Sequence, residues 1–349
     1  MARTGILLVN LGTPDSPAPK DVFRYLNEFL TDGRVIDMPW LSRQLLVRGI
    51  IVPFRYKQSA RSYQEIWTEK GSPLKVHGYA LRDAMQEAFG EDYFVDLAMR
   101  YQNPSIESVL NNMLAKGIQK LIIAPLFPHY ASATTGSVNQ KIVELLSKRQ
   151  VVPEVTFIQQ FPTHPALIRS FVAIGETYQP LTYDHVLFSF HGLPQKHIRK
   201  ADSRKHCFQA ENCCQTFGEH NHGCYSAQCY ATAREIAKGL SLPEELYSVS
   251  FQSRLGNDPW LQPFTFEVIE NLAKTGKMRV LVFCPAFVAD CLETVFEIEV
   301  ENRLEFQKQG GIDLDLVEGL NSHSVWVEGL KEIILDHLPV KESLCNLSR

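Results

Sequence analysis

The sequence predicts an α/β protein made of two similar four-stranded halves, and three observations carry that prediction. Short apolar, β-branched runs alternate with longer stretches of helical periodicity. The runs are continuously apolar, as strands covered on both faces are. One segment also recurs about half a chain later: Leu121-Ile-Ile-Ala-Pro-Leu-Phe-Pro128 resembles Val280-Leu-Val-Phe-Cys-Pro-Ala-Phe287. Each copy reads as a strand that ends at a proline, continues through a phenylalanine and leads into a helix.

In chain order, strands are expected over residues 5–10, 93–99, 120–125, 154–159, 185–190, 245–251, 278–284 and 312–317. Between most of them lie helical patterns. Over 74–89, Leu74, Leu81, Met85 and Ala88 fall on one side. Eight strand–helix units also suit an eight-fold barrel, but the internal repeat favours two halves. The joint is expected near 161–165, where Pro162 and Pro165 punctuate the chain. The resulting division is a first half over 1–160, a second over 161–321, and a tail over 322–349 whose helix packs back on the first half.

Residues 30–57 stand apart. Apolar Phe29, Leu30, Met38, Trp40, Leu41, Leu45, Ile50 and Phe54 are interleaved with Arg34, Arg43, Arg48, Arg55 and Lys57. The plainer reading is a core helix with snorkelling cations. The sharper one is an apolar lip over a flat ligand, or a contact with a membrane surface.

Composition narrows the class. The 349 residues carry 35 basic and 39 acidic side chains, net −4, so there is no general basic field for nucleic acid. No apolar run approaches a membrane span, and the start of the chain is too short in apolar residues for a signal peptide, so a cytoplasmic protein is expected. Neither GxGxxG after the first strand nor GxxxxGK[ST] occurs, which disfavours nucleotide sites.

Four constellations could carry chemistry. Ser189-Phe-His191-Gly-Leu-Pro194 ends a predicted strand, where open α/β sheets bind ligands. A histidine there is placed to move protons or ligate a metal, or simply to cap the turn. Asp290, Glu293, Glu297 and Glu301 would share one face of an α-helix that follows another strand. That row is either a solvated acidic face or a route for cations and protons. The run from Phe127 to Ser137 reads as a helix start, able to cap itself or to receive an anion. Finally, five of eight cysteines (Cys207, Cys213, Cys214, Cys224, Cys229) fall within 23 residues. Such clustering points to a metal. Zinc usually uses CxxC pairs, which are missing here, whereas an iron–sulfur cluster needs four thiolates.

Together these motifs resemble ferrochelatases, which insert Fe(II) into a porphyrin. The resemblance runs through Asn10-Leu-Gly-Thr-Pro-Asp15, Met99-Arg-Tyr101, Pro128-His-Tyr130, Phe188-Ser-Phe-His-Gly-Leu-Pro194, Gln252-Ser-Arg-Leu-Gly256 and Asp290-Cys-Leu-Glu-Thr294. It implies two Rossmann-like (chelatase-type) domains with a cleft between them. It implies that His191 and Glu293 bind Fe(II) and accept the pyrrole protons, with Asp290, Glu297 and Glu301 as an acidic ladder. It implies that Arg100, Tyr130 and Trp260 surround the macrocycle beneath the 30–57 lip. Cys291 stands where relatives often have histidine, so no role is assigned to a second histidine there. The cysteine segment, about 201–229, resembles the insertion of bacterial ferrochelatases that hold a [2Fe–2S] cluster. That implies Cys207, Cys214, Cys224 and Cys229 as ligands, with Cys213 as the alternative to Cys214. The implied substrate is protoporphyrin IX; coproporphyrin III, and a non-catalytic haem or iron–sulfur sensor, are the rival readings. The implied partners are porphyrin and iron, no nucleic acid, and a peripheral membrane contact.

Overall fold

The computed structural model describes residues 4–338 except 211 and 257, so the end of the expected tail, 339–349, lies outside the described residues. The first sheet contains β1 (Thr4–Gly12), β2 (Tyr93–Tyr101), β3 (Lys120–Pro125) and β4 (Glu154–Phe157), in the order β2-β1-β3-β4. The second contains β5 (His185–His191), β6 (Tyr247–Gln252), β7 (Arg279–Phe283) and β8 (Asp313–Leu316), in the order β6-β5-β7-β8. All pairs are parallel. The two orders are the same, so the repeat read from the sequence is a repeat of topology, and a barrel is excluded.

Continuous apolarity has the expected cause. Ile6, Leu7, Leu8 and Val9 are all fully buried, because β1 is central and helices cover both faces. β1 runs past Asn10 to Gly12, which pairs with Tyr101. There a β-carbon would lie 2.1 Å from the Tyr101 carbonyl oxygen, and φ is +121°, so only glycine lets the strands stay together. β6 starts later than expected, because the chain after Pro243 first makes a 3-10 turn, Glu244–Leu246.

Among the described residues there are twelve α-helices. They are α1 (Pro19–Leu30), α2 (Trp40–Leu46), α3 (Val52–Ile66), α4 (Pro73–Phe89), α5 (Ile106–Ala115), α6 (Ser137–Leu146), α7 (Pro165–Glu176), α8 (Gln195–Ala201), α9 (Tyr225–Gly239), α10 (Thr265–Lys274), α11 (Arg303–Lys308) and α12 (Ser324–Asp336). A large buried cluster joins the halves, from Ile6 and Leu81 through Phe188 to Trp326. α12 packs on α7 and α4. Lys331 Nζ donates to the Ala88 carbonyl at 2.7 Å, and Arg169 pairs with Glu332 at 2.6 Å.

Among the described residues, three π-helical segments interrupt the regular helices. Val47–Ile51 joins α2 to α3. Ser132–Gly136 follows β3 and Leu292–Asn302 follows β7, at corresponding places in the two halves. Wide turns of this kind are concentrated at functional sites.

The core-helix reading of 30–57 holds only for Leu30, Val47 and Val52, which are buried. Trp40, Leu41, Leu45, Ile50 and Phe54 are 56–81% exposed, which a core stripe would not allow.

Candidate functional site

A cavity of about 490 Å³ opens at the carboxyl ends of the strands, between the halves. That volume suits a sizeable organic ligand. The first half supplies Tyr25, Phe29 and Leu30 from α1, and Phe127 and His129 after β3. The second supplies His191 and Leu193 after β5, Trp260 after β6, Phe287 after β7, and Glu293, Glu297 and Glu301 from the π-helix. The walls are mostly apolar and aromatic.

His191 is the last residue of β5. Its Nδ1 lies 2.6 Å from the Gly192 carbonyl. A carbonyl only accepts, so Nδ1 carries the proton and Nε2 keeps its lone pair. The ring is 6.5 Å from Trp260 and 6.2 Å from Phe287, centroid to centroid. Burial lowers its pKa, while the nearby Glu293 carboxylate and the Gly192 carbonyl push the other way. The net effect is a neutral imidazole with a free nitrogen, able to take a proton or a metal. Tyr225, at the start of α9, donates from its hydroxyl to the His191 carbonyl at 2.8 Å and steadies the strand end.

The acidic row begins at Glu293. Burial raises Glu297 to about 8, aided by the charge of Glu293; hydrogen bonds from Ser253 at 2.5 Å and from Gln252 partly offset this. Glu301 is also raised, by burial and then by Glu65. At neutral pH Glu297 therefore holds a proton, and the row is not a stack of full charges.

Asp290 departs from the expected row. The helix starts at Leu292 and is π rather than α, so the α-spacing that aligned Asp290 with Glu293 does not apply. Its carboxylate accepts from the Gly319 amide at 3.0 Å, Asn321 Nδ2 at 2.8 Å and Thr294 Oγ1 at 3.3 Å. Asp290 fastens the turn before the helix, outside the cavity wall.

Of the three expected ring-binding residues, Trp260 lines the cavity, whereas Arg100 and Tyr130 do not. Arg100 pairs with Asp32 at 2.7 Å and donates from Nε to Ser137 Oγ at 2.7 Å. Tyr130 is placed at the seam between the halves, its amide bonded to Gln228 Oε1 at 2.8 Å. Burial pushes the Asp32 pKa up, but hydrogen bonds from Ser137, the Arg34 amide and Tyr101, with the charge of Arg100, outweigh it and lower the pKa. This network ties the base of the lip to the sheet. The expected helix start after β3 is the π-turn: Ser132 receives Arg34 Nη1 at 3.0 Å, while Ala133 and Thr134 face the cavity.

The cysteine segment lies between α8 and α9. Cys207 and Cys224 sulfurs are 4.0 Å apart, and those of Cys213 and Cys214 are 3.6 Å apart. Cys224 precedes α9. Hydrogen bonds from Cys214, the Ala227 and Ser226 amides and Cys207 lower its thiol to about 6 against the effect of burial. Cys229 sits apart on α9, fully buried, with Tyr225 as its side-chain hydrogen-bond partner.

Residues 3–338 match the ferrochelatase family profile. The chain belongs to the ferrochelatase family. Named ferrochelatases from Legionella pneumophila (strain Lens) and Pseudomonas putida (strain KT2440) are similar to it. The first is 42% identical over 332 residues, covering 95% of this chain and 98% of the relative. The second is 42% identical over 336 residues, covering 95% and 99%. A solved structure, SirB from Bacillus subtilis with Fe3+, shares the fold: TM-score 0.56, 11% identity, 96% of this chain and 95% of that one. The shared fold accounts for the paired parallel sheets.

The sequence reading missed Tyr25 and Leu26 of α1 as part of the cavity wall, and Gln252 and Ser253 as partners of the acidic row. For α1 the signal was present: Pro19–Leu30 is strongly amphipathic. Gln252 ends β6 beside His191, a position that topology reveals and local sequence does not.

Proposed function

We propose that this chain inserts Fe(II) into protoporphyrin IX, as a ferrochelatase. One observation carries the reading: a neutral His191, with Nε2 unprotonated, stands beside Glu293 on one wall of a largely apolar cavity. The reaction exchanges two pyrrole protons for one divalent cation. His191 Nε2 and the Glu293 carboxylate hold the cation and receive protons. Glu297, already protonated, and Glu301, nearer the surface, form the way out for protons. Apolar walls exclude water and hold the macrocycle for the reaction. Bending the ring toward the metallated geometry would draw on that remote binding energy.

The charges favour the dicarboxylate substrate. Among the described lining residues the firmly cationic side chains are Arg55 and Arg254, matching two propionates rather than four. The test is an anaerobic absorbance time course with Fe(II) and either protoporphyrin IX or coproporphyrin III. Faster conversion of protoporphyrin is expected. Faster conversion of coproporphyrin would reassign the substrate. Binding of both without conversion would leave a haem or iron–sulfur sensor.

We also infer that the cysteine segment holds a [2Fe–2S] cluster. Two thiol pairs at 3.6–4.0 Å fit the edge of a thiolate tetrahedron, roughly 3.8 Å for metal–sulfur bonds of about 2.3 Å. This distance pattern supports Cys207, Cys213, Cys214 and Cys224, so Cys213 replaces the expected Cys229 as fourth ligand. The cluster would add one-electron chemistry and a staple to the segment. Cys213→Ser is expected to abolish the visible cluster absorbance and the bound iron and sulfide, whereas Cys229→Ser retains them. The reverse result restores Cys229.

A peripheral contact with an anionic membrane completes the reading. No described helix is long and apolar enough to cross a membrane. Trp40, Leu45 and Phe54 protrude from the lip, and Arg48 and Lys57 lie exposed among them. Such a surface suits apolar insertion beside anionic headgroups.

A further inference from the structure

Gln252 ends β6 in register with His191 on β5. Its main chain and its side chain serve different halves of the reactive pair. The Gln252 carbonyl accepts from the Gly192 amide at 2.8 Å, and the Gly192 carbonyl in turn receives His191 Nδ1 at 2.6 Å. The side-chain Nε2 donates to the Glu293 carbonyl at 2.7 Å and lies 3.5 Å from Glu297 Oε2. Oε1 accepts from Ser189 Oγ at 2.7 Å. The orientation of the amide is fixed, because the opposite one would set Oε1 against the Glu293 carbonyl, acceptor against acceptor.

The residue is 5% exposed, so water does not compete for these bonds. Ser189 is held in turn by Thr265 at 2.9 Å, and Thr265 by Ser250 at 2.8 Å. The chain of bonds therefore runs from the sheet interior to the π-helix. Gln252 itself is not among the residues lining the cavity.

We propose that Gln252 is a positioning residue that sets His191 and Glu293 in register, linking the strand end that carries one to the π-helix that carries the other. The proposal rests on the metal-insertion reading above. A π-helix closes i→i+5 bonds, so its turns are wider than those of an α-helix and its side chains are spaced differently. A buried side chain that bonds its first turn to the sheet is a means of fixing where Glu293 points.

The test compares Gln252→Met, which keeps length but loses donor and acceptor, with Ser189→Ala, which removes the brace on the amide and its link to Thr265. In the same assay the parent protein must convert free-base porphyrin with Fe(II); its failure would remove the chelatase reading rather than the role of Gln252. With the parent active, Gln252→Met is expected to lower kcat about 10–100-fold, the usual effect of losing a group that orients metal-binding residues. KM for Fe(II) rises, while porphyrin affinity, read by fluorescence quenching, and Tm stay near parental values. Ser189→Ala shifts the same quantities in the same direction by less. Parental kcat in Gln252→Met overturns the proposal. So does a parallel fall of kcat, porphyrin affinity and Tm, which marks a merely structural role. If Gln252→Met does not fold, Ser189→Ala decides, and unchanged kcat and Fe(II) KM there overturn it.

Discussion

The π-helical segments after β3 and β7 stand at equivalent places in a duplicated topology, yet they carry different chemistry. Leu292–Asn302 presents Glu293, Glu297 and Glu301 to the cavity. Ser132–Gly136 is short and uncharged, and Ser132 anchors Arg34 at the base of the lip. Beyond it, Ser137 joins Asp32 and Arg100. One half has placed ionisable groups on the cavity wall. The other has used the same backbone device to brace a wall. A repeated fold thus supplies two positioned loops, and side chains decide which reacts.

This comparison can be broken by exchanging what each segment is asked to do. The largest effect is expected on the reactive side. Glu293→Gln should lower kcat by about 10²–10⁴-fold, the usual weight of a proton-transfer group, with porphyrin binding preserved. Steady-state kinetics beside fluorescence titration check it, and equal loss of binding would place Glu293 among the structural groups.

The bracing side should respond through stability and binding instead. Asp32 and Arg100 side chains are 10% and 15% exposed, so Arg100→Met leaves a buried carboxylate without its cation. The cost is about 3 kcal/mol. Denaturant unfolding should show that loss, and porphyrin KM should rise with little change in kcat.

A smaller effect concerns pH. The folded pKa of Glu297, about 8, lies above that of an unfolded glutamate. Between the two values the folded state binds more protons than the unfolded one. Its contribution is therefore intact below the unfolded pKa and is lost as pH rises toward 8. Glu297→Gln should flatten this fall, giving a Tm advantage over the parent that grows from pH 6 to pH 9. A Tm difference independent of pH would contradict the assignment.

The smallest effect on catalysis is expected at the lip. Phe54→Ser, at a residue 81% exposed, should reduce flotation with anionic vesicles and leave turnover in detergent unchanged. Equal flotation would remove the membrane contact from the account.

Much of the fold was legible because parallel strands buried on both faces write themselves as apolar runs. All eight expected strands are present among the described residues, with ends displaced by no more than two residues. His191 and Glu293 were singled out because one ends a strand and the other lies in the helix that follows another, and both line the cavity. Asp290 was misplaced by assuming α-helical spacing across a π-helix. Arg100 and Tyr130 lie near the cleft, but their partners Asp32 and Gln228 come from distant segments that no local pattern announces. The same is true of Gln252, whose importance lies in bonds to residues 63 and 41 positions away.

The most direct test of the central claim is to follow free-base protoporphyrin IX with Fe(II) under anaerobic conditions on the parent protein and on His191→Ala. The account predicts conversion to the haem spectrum by the parent, and a variant that binds the porphyrin but leaves it unmetallated. Conversion by His191→Ala at the parental rate would contradict it.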